Sequence, residues 1–477
     1  MIQNIKKTWH YFKRNGITAA LAKVSEQLSQ QSAERNYSSW LADHLPEAAQ
    51  LEAQRRHIFI NPITFSIIVP TYCTNPTFLQ QMVESVLNQT YPYLELCIAD
   101  GSPDDSVATI LSEYQDPRIH YRHLQENNGI SGNTNAAFEM ATGTYVALLD
   151  HDDLLTPDAL YEMAIAVESN PATDMMYSDE DKVSADLRAY FNPHYKPDYN
   201  PELLRTNNYI CHFLAVKREL AIRAGYFRPD YDGAQDYDFI FRCVELAQHI
   251  HHIPRILYHW RSHAESTAAN PQSKRYAYEA GKRALESHLI RNNIEAIVSH
   301  TPHLGFYRVQ YRIKITHDSD HCCLHISENA ANPPLILKEV KQELISNCMR
   351  PDVGIVGGKT LYPNGRIKQA GLRRTSDGTY EPEYNGLKKH FSGYMHRANL
   401  QRCVDSVSCD CFAVKLELLD QLGVSPQDLQ TQKDVNLLCE RIRSAGYLVV
   451  FTPYACIKIK DSRMRHRGIK RNRSKHA

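Results

Sequence analysis

Tyr145–Asp153 reads YVALLDHDD, an apolar run that stops abruptly at an acidic cluster. Its length and its tyrosine, valine and leucine content predict a buried strand, so Asp150, Asp152 and Asp153 should stand at or just beyond the strand's carboxyl end. Two earlier runs have the same form: Phe65–Val69 (FSIIV), ended by Pro70, and Leu94–Ala99 (LELCIA), ended by Asp100. A later one, Met175–Tyr177, ends at Ser178 and Asp179, and helix-like sequence such as Phe78–Leu87 lies between. Strands alternating with helices predict an α/β fold with a mostly parallel sheet flanked by helices. Ligands bind such sheets at the carboxyl ends of the strands, so the polar residues at these four ends are expected to share one cleft.

At 477 residues the chain exceeds one ordinary core. Four segments are expected: a helical, amphipathic segment over 1–60, an α/β domain over 61–300, a smaller α/β module over 301–457 and a basic tail over 458–477. Lys+Arg and Asp+Glu both number 54, so bulk charge points to no nucleic acid or acidic polymer. No stretch reaches the roughly 20 apolar residues of a membrane span. The first residues, MIQNIKKTWHYFKRNG, lack the apolar centre of a secretory signal. The 12 cysteines show no disulfide-like pattern, and a reduced, cytoplasmic protein is expected.

The chemistry concentrates in four places. Carboxylates on either side of His151 at a strand end can grip a hard divalent cation, Mg²⁺ or Mn²⁺, which prefers oxygen and bridges to phosphates. An acidic turn capping the helix after Pro157 is the plainer alternative. SDEDK (Ser178–Lys182) adds three carboxylates at the next strand end. In GAQDYDFIFR (Gly233–Arg242), Asp236 and Asp238 open an apolar-periodic helix, where a carboxylate serves either the helix N-terminus or as a general base. In ILYHWRSH (Ile256–His263), His259 is a candidate third metal ligand and Arg261 a candidate phosphate contact, although a strand histidine is commonly structural.

Taken in order, IIVPTY, LELCIADGSPDD, NNGISGNTNAA, ATGTYVALLDHDD, YSDEDK, QDYD and YHWR resemble glycosyltransferase family 2 over roughly residues 60–300, in particular bacterial enzymes that build O-antigen and other surface polysaccharides. The resemblance implies a GT-A fold and an inverting transfer from a nucleotide-diphosphate sugar to a hydroxyl of a glycan or lipid-linked acceptor. It places Pro70, Thr71 and Tyr72 in the nucleotide pocket, Asp100 on the base, and Gly101 and Ser102 in the adjoining loop. Asn128, Gly129 and Asn135 would approach the nucleotide, Asp150 would hold the ribose with His151 beside it, and Arg261 would face phosphate. Asp152 and His259 would hold Mn²⁺ or Mg²⁺, and Asp236 would be the general base, preceded by Gln235 where many members have Glu. Asp179, Glu180, Asp181, Gln235 and Asp238 are expected sugar contacts.

Arg350–Gly371 and Gly446–Tyr454 resemble the later half of a second such module, with KDVN (Lys433–Asn436) where an acidic pair would stand. This copy is expected to be degenerate and non-catalytic. HCCLH (His321–His325) is expected to be a strand with incidental cysteines, because adjacent cysteines chelate one ion poorly. The basic residues near both ends are either solvated or a peripheral contact with anionic lipid on the inner face of the cytoplasmic membrane. Two rival functions remain: a non-catalytic glycan-binding or scaffold protein with a transferase fold, and a two-site polysaccharide polymerase. A nucleotidyltransferase would want a basic phosphate-gripping loop after the first strand, and PTYCTNPT supplies none.

Overall fold

The computed structural model describes residues 37–263, 275–312 and 321–460. The first strands are β1 (Phe65–Thr71), β2 (Leu94–Asp100), β3 (Ile119–His123), β4 (Tyr145–Leu148), β5 (Leu154–Leu155), β6 (Met175–Ser184), β7 (Tyr190–His194), β8 (Leu214–Lys217) and β9 (Ile250–Ser262). They form one nine-stranded sheet in the order β3-β2-β1-β4-β8-β6-β9-β5, with β7 on β6. From β3 to β4 the pairing is parallel. Strand β8 then enters antiparallel to both β4 and β6, while β9 runs parallel to β6. This is the expected α/β class, and the four strands expected from the apolar runs lie in it as β1, β2, β4 and β6.

Both faces of the sheet are covered, which is why β1 and β2 are buried at every residue and read as unbroken apolar runs. Ile67, Val69, Leu96 and Ile98 pack on one face with Leu79, Met82, Val83 and Val86 of the helix Pro76–Leu87. That helix starts where Pro76 follows Asn75, whose side chain accepts from the Thr77 and Phe78 amides. Ile68, Cys97, Ala99 and Val146 face the other way, against Ala137 and Phe138 of the helix Gly129–Met140. With both faces closed by apolar packing, the strand ends are left to carry the polar chemistry.

The N-terminal segment is helical over residues 37–44 and Ala48–Arg56, and Tyr37 and Leu41 are buried. The lysine and arginine cluster near the N-terminus, and the basic tail after Lys460, lie outside the described residues. Strands β10 (Ala296–His300) and β11 (Tyr307–Tyr311) pair as a hairpin. Val298, Tyr307, Val309 and Tyr311 of that hairpin pack into the first core, so the expected border at residue 300 falls within it.

Next come β12 (Cys322–Ile326), β13 (Val353–Leu361), β14 (Ile367–Gln369), β15 (Leu372–Arg374), β16 (Tyr380–Pro382), β17 (Arg402–Cys403), β18 (Cys411–Lys415) and β19 (Leu448–Lys458). HCCLH thus supplies strand β12. The second large sheet runs β12-β18-β13-β19-β17 with β14 on β13. Its pairings are antiparallel except β13 with β19. That is the order and direction of β4-β8-β6-β9-β5 with β7 on β6. Among the described residues the second sheet has no partner strands corresponding to β1, β2 and β3.

The two modules meet at Glu202, a side chain with no exposed surface. It accepts from Arg350 at 2.5 and 2.8 Å, from Arg205 at 2.7 Å and from Gln401 at 2.6 Å. The Arg350 guanidinium lies 4.2 Å from the Tyr311 ring centre.

Candidate active site

The loop after β1 is organised by Asp100, which is fully buried. One carboxylate oxygen accepts from Thr71 Oγ1 at 3.0 Å, from the Ser102 amide at 3.0 Å and from Ser102 Oγ at 2.6 Å. The other accepts from the Tyr121 hydroxyl at 3.1 Å. Asp100 therefore ties the ends of β1, β2 and β3 together, and Ser102 Oγ passes the order on by accepting the Cys73 amide at 2.8 Å. Pro70 and Thr71 are buried, while Tyr72 is half exposed at the rim. A Cβ at Gly101 would come within 2.8 Å of Asn133 Nδ2 and 3.1 Å of Asn127 Cα, so only glycine lets that loop close on it. The Asn128 amide donates to Asn133 Oδ1. Gly129, at φ +73°, starts the next helix. Asn135 points elsewhere: its side chain exchanges hydrogen bonds with the Phe227 backbone at 2.8 and 2.9 Å, clipping that loop rather than facing a nucleotide.

After β4 the chain turns through DHDD, closed by the Asp153 amide donating to the Asp150 carbonyl. The three carboxylates then have different surroundings. Asp153 is fully buried and accepts from the Tyr258 hydroxyl and from the Arg261 amide at 2.7 Å. Burial, with Asp152 and Asp150 beside it, pushes its carboxyl well above the usual range. Asp152 pairs with His263 at 2.7 Å. Asp150 and Asp153 each bring an oxygen within 4.8 Å of a ring nitrogen of His212, the three ligand atoms lying within that distance of one another.

Among the described residues, the grouping that could hold an ion is Asp150, Asp153 and His212. Of the expected metal ligands, His259 is directed by β9 onto Asp181 at 2.6 Å and Asp152 pairs with His263 at 2.7 Å. Asp181 also accepts from the Tyr37 hydroxyl at 2.7 Å. His212 stacks on Tyr258 with ring centres 4.6 Å apart, and its Nδ1 is buried without a hydrogen-bond partner. Two carboxylate oxygens and one imidazole, whose Nδ1 has no hydrogen-bond partner, fit a divalent cation such as Mn²⁺ or Mg²⁺. His151 Nδ1 is likewise buried without a partner.

Asp236 stands in the first turn of the helix Gln235–Val244, whose start is brought close by Gly233 at φ +94°. A Cβ at Gly233 would come within 3.0 Å of Ala277. Asn208 Nδ2 donates to Asp236 Oδ2 at 2.7 Å. Burial pushes the Asp236 carboxyl up; His212 works against that rise and Asp150 adds to it, which places all three side chains within electrostatic reach. So the ends of β4 and β8 and the start of one helix converge on a group of two aspartates, a histidine and a third aspartate.

The remaining expected contacts are turned inward. Asp179 accepts from the Lys196 amide at 2.8 Å and meets His252 at 2.9 Å. Glu180 pairs with Lys196 at 3.2 Å and His194 at 3.3 Å and accepts the His212 amide at 3.1 Å. Asp238, fully buried, is clamped by Arg228 and Arg242. Gln235 accepts the Gly233 amide at 2.9 Å. Asp179, Glu180, Asp181 and Asp238 are thus neutralised by internal partners, and the expected sugar contacts do not follow from their placement. Arg261 is also internal, with Nε on the Asp152 carbonyl at 2.5 Å and Nη1 on the Ala185 carbonyl at 3.0 Å. Its Nη2 alone lacks a partner. Two residues escaped the sequence reading. His212 follows no motif. Lys182, within SDEDK, lies 4.7 Å from the Trp260 ring centre beside the same cleft.

The mixed sheet thus carries a carboxylate–imidazole group and an acidic helix start at its strand ends. Comparison with known proteins agrees: residues 66–224 match the Glycosyl transferase family 2 model, and the chain carries a domain of that family there. The chain is 31% identical to the uncharacterized protein y4gI of Sinorhizobium fredii, over 86% of this chain and 54% of that protein. It is 27% identical to the O-antigen biosynthesis protein RfbC of Myxococcus xanthus, over 87% and 39%. It is 32% identical to a chondroitin synthase of Pasteurella multocida, over 46% and 22%. The chain thus spans about half or less of the length of these relatives. Among the described residues, no helix is long and apolar enough to cross a membrane.

Proposed function

We propose that this chain transfers a sugar, with inversion, from a nucleotide-diphosphate donor to a hydroxyl of a glycan or lipid-linked acceptor in bacterial surface-polysaccharide synthesis. The observation that carries the reading is the grouping of Asp150, Asp153 and His212, with Asp236 beside it: the thiol of Cys211, next to His212 in the chain, reaches Asp236 Oδ2 at 3.8 Å. The relatives named for O-antigen and chondroitin synthesis support the polymer class. Asp150, Asp153 and His212 would hold the divalent cation, which when bound offsets charge on the departing diphosphate. Asp236 takes the acceptor hydroxyl's proton as that oxygen attacks the anomeric carbon from the face opposite the diphosphate. Asn208 helps fix the orientation of this carboxylate by donating to Oδ2 at 2.7 Å. No enzyme nucleophile is required in a single displacement. The family match ends at residue 224, so the role of Asp236 rests on its geometry.

In this reading residues 61–300, with the hairpin β10–β11, form the catalytic unit, and the module ending near residue 457 does not catalyse. A two-site polymerase would need a second donor pocket, yet the second sheet lacks strands corresponding to β1–β3 among the described residues. The test is release of nucleoside diphosphate from a panel of nucleotide sugars, with Mn²⁺ or Mg²⁺, by wild type, His212→Ala and Asp236→Asn. Turnover of one donor, dependent on cation and lost in both variants, is expected. If no donor binds or turns over with any cation, the scaffold reading replaces this one.

A further inference from the structure

Alternate residues of a strand point to opposite faces of the sheet, and β6 carries charge on both. On one face Asp181 meets His259 at 2.6 Å and the Tyr37 hydroxyl at 2.7 Å. On the other stand Glu180 and Lys182, opposite Tyr258 and Trp260 of β9 in the ladder. His212 lies against both of those rings, stacked on Tyr258 with centres 4.6 Å apart and edge-on to Trp260 at 5.8 Å. Lys182 Nζ is 4.7 Å from the same Trp260 ring centre. A continuous line of side-chain contacts therefore runs from Asp150, Asp153 and His212 across Trp260 to one ammonium.

Lys182 is half-buried, and among the described residues no hydrogen bond or ion pair reaches its Nζ. Glu180, two residues earlier on the same face, is engaged elsewhere: it accepts from Lys196 at 3.2 Å and from the His212 amide at 3.1 Å, and it meets His194 at 3.3 Å. The buried lysines Lys196, Lys359 and Lys415 each donate to an oxygen at 2.7 Å, respectively the Ile210 carbonyl, Asn399 Oδ1 and the Arg350 carbonyl. An indole face attracts a cation but leaves the N–H donors of an ammonium for another partner. In the transfer reaction proposed above, the divalent cation offsets charge on the diphosphate. Lys182 is a further positive charge one ladder step beyond His212's ring partner Tyr258, and it suits a further negative charge on the substrate. On a nucleotide sugar, the anion outside the diphosphate is a carboxylate of the sugar.

We propose that Lys182, seated on Trp260, selects a donor whose sugar is a uronic acid, by donating a charge-assisted hydrogen bond to the sugar carboxylate. This rests on the transfer reading above and names the substrate class of that same site. The test is calorimetric binding of matched donors to the full chain in Mg²⁺: UDP-glucose with UDP-glucuronate, UDP-galactose with UDP-galacturonate, and GDP-mannose with GDP-mannuronate. Wild type is compared with Lys182→Gln, which keeps the side-chain stem, and Lys182→Arg, which keeps the charge. In one pair the acidic member should bind wild type roughly ten- to hundredfold more tightly than the neutral one, the worth of one charge-assisted contact. Lys182→Gln should erase that difference and Lys182→Arg should retain most of it. A wild-type protein that binds the neutral member as well or better overturns the proposal, whatever the variants do. So does a Lys182→Gln variant that keeps the preference, or one that weakens both members alike, which would put the ammonium on the diphosphate. Binding of none of the six donors would overturn the transfer reading together with this one.

Discussion

Before β9 the helix Gln235–Val244 opens with Asp236, and before β19 the helix Gln432–Ser444 opens with Asp434. The same interval of sequence separates Asp236 from Asp434 as separates Leu214 of β8 from Phe412 of β18. The backbone slot is shared and the chemistry is not. Asp236 is held by Asn208, and burial pushes its carboxyl up. Asp434 closes a capping box with Thr431, at 2.7 Å to the hydroxyl, and those hydrogen bonds pull its carboxyl down. Opposite them, His212 of the first module corresponds to Asp410 of the second, which is paired with Lys368 at 2.5 Å. A carboxylate at a helix start becomes a candidate base only when the facing strand ends supply a metal-type cluster and keep water from satisfying it.

The comparison can be broken most decisively at that slot. Asp236→Asn should lower transfer by about 10²- to 10⁴-fold, the usual contribution of a general base, in a nucleoside-diphosphate release assay. Asp434→Asn should leave turnover unchanged. Comparable losses in the two variants would mean that the second module works in catalysis. His212→Ala should raise the Mn²⁺ concentration needed for half-maximal turnover, and His259→Ala should not, since His259 is held by Asp181. If the two responses were exchanged, the metal cluster would have to be redrawn.

A second set of outcomes concerns the joint between the regions. Arg350→Met leaves Glu202 buried with part of its pairing lost and should cost about 3–5 kcal/mol in urea unfolding. Arg350 and Arg205 hold the Glu202 carboxyl down at about 2, below the 4.5 of an unperturbed glutamate. A depressed folded-state value means that its contribution is present above about 4.5 and is lost as pH falls toward about 2. Glu202→Gln should therefore flatten the acid limb of stability across that window. The smallest effect is expected at Asp434→Asn itself, a slight drop in melting temperature from a weakened helix cap.

Strands β1, β2 and β4 were legible because each reads as a buried apolar run, whereas only Met175–Tyr177 of β6 does; that strand continues through SDEDK to Ser184, so Asp179, Glu180 and Asp181 lie within it and not at its end. Strand β3, at the sheet edge and partly exposed, alternates without a strong signal, and β8 is only four residues long. KDVN raised the expectation of a degenerate second module, whereas its register with the first was visible only once β13 and β18 were paired. The surroundings of the DHDD carboxylates were not legible for a related reason. The resemblance implied Asp152 as a metal ligand, and the turn sets Asp152 against His263 and sends Asp153 inward to Tyr258 and Arg261.

By itself the sequence determined the α/β class, the placement of acidic residues at strand ends and the helix start at Asp236. These follow from local periodicity and from the abruptness with which apolar runs stop. Only the tertiary structure decided which carboxylates work together. Strand β8 inserts between β4 and β6 and carries His212 to the end of β4, next to side chains far away in sequence. Charges at strand ends are neutralised or left available by neighbours across the sheet, and that pairing depends on strand order, which local sequence does not specify.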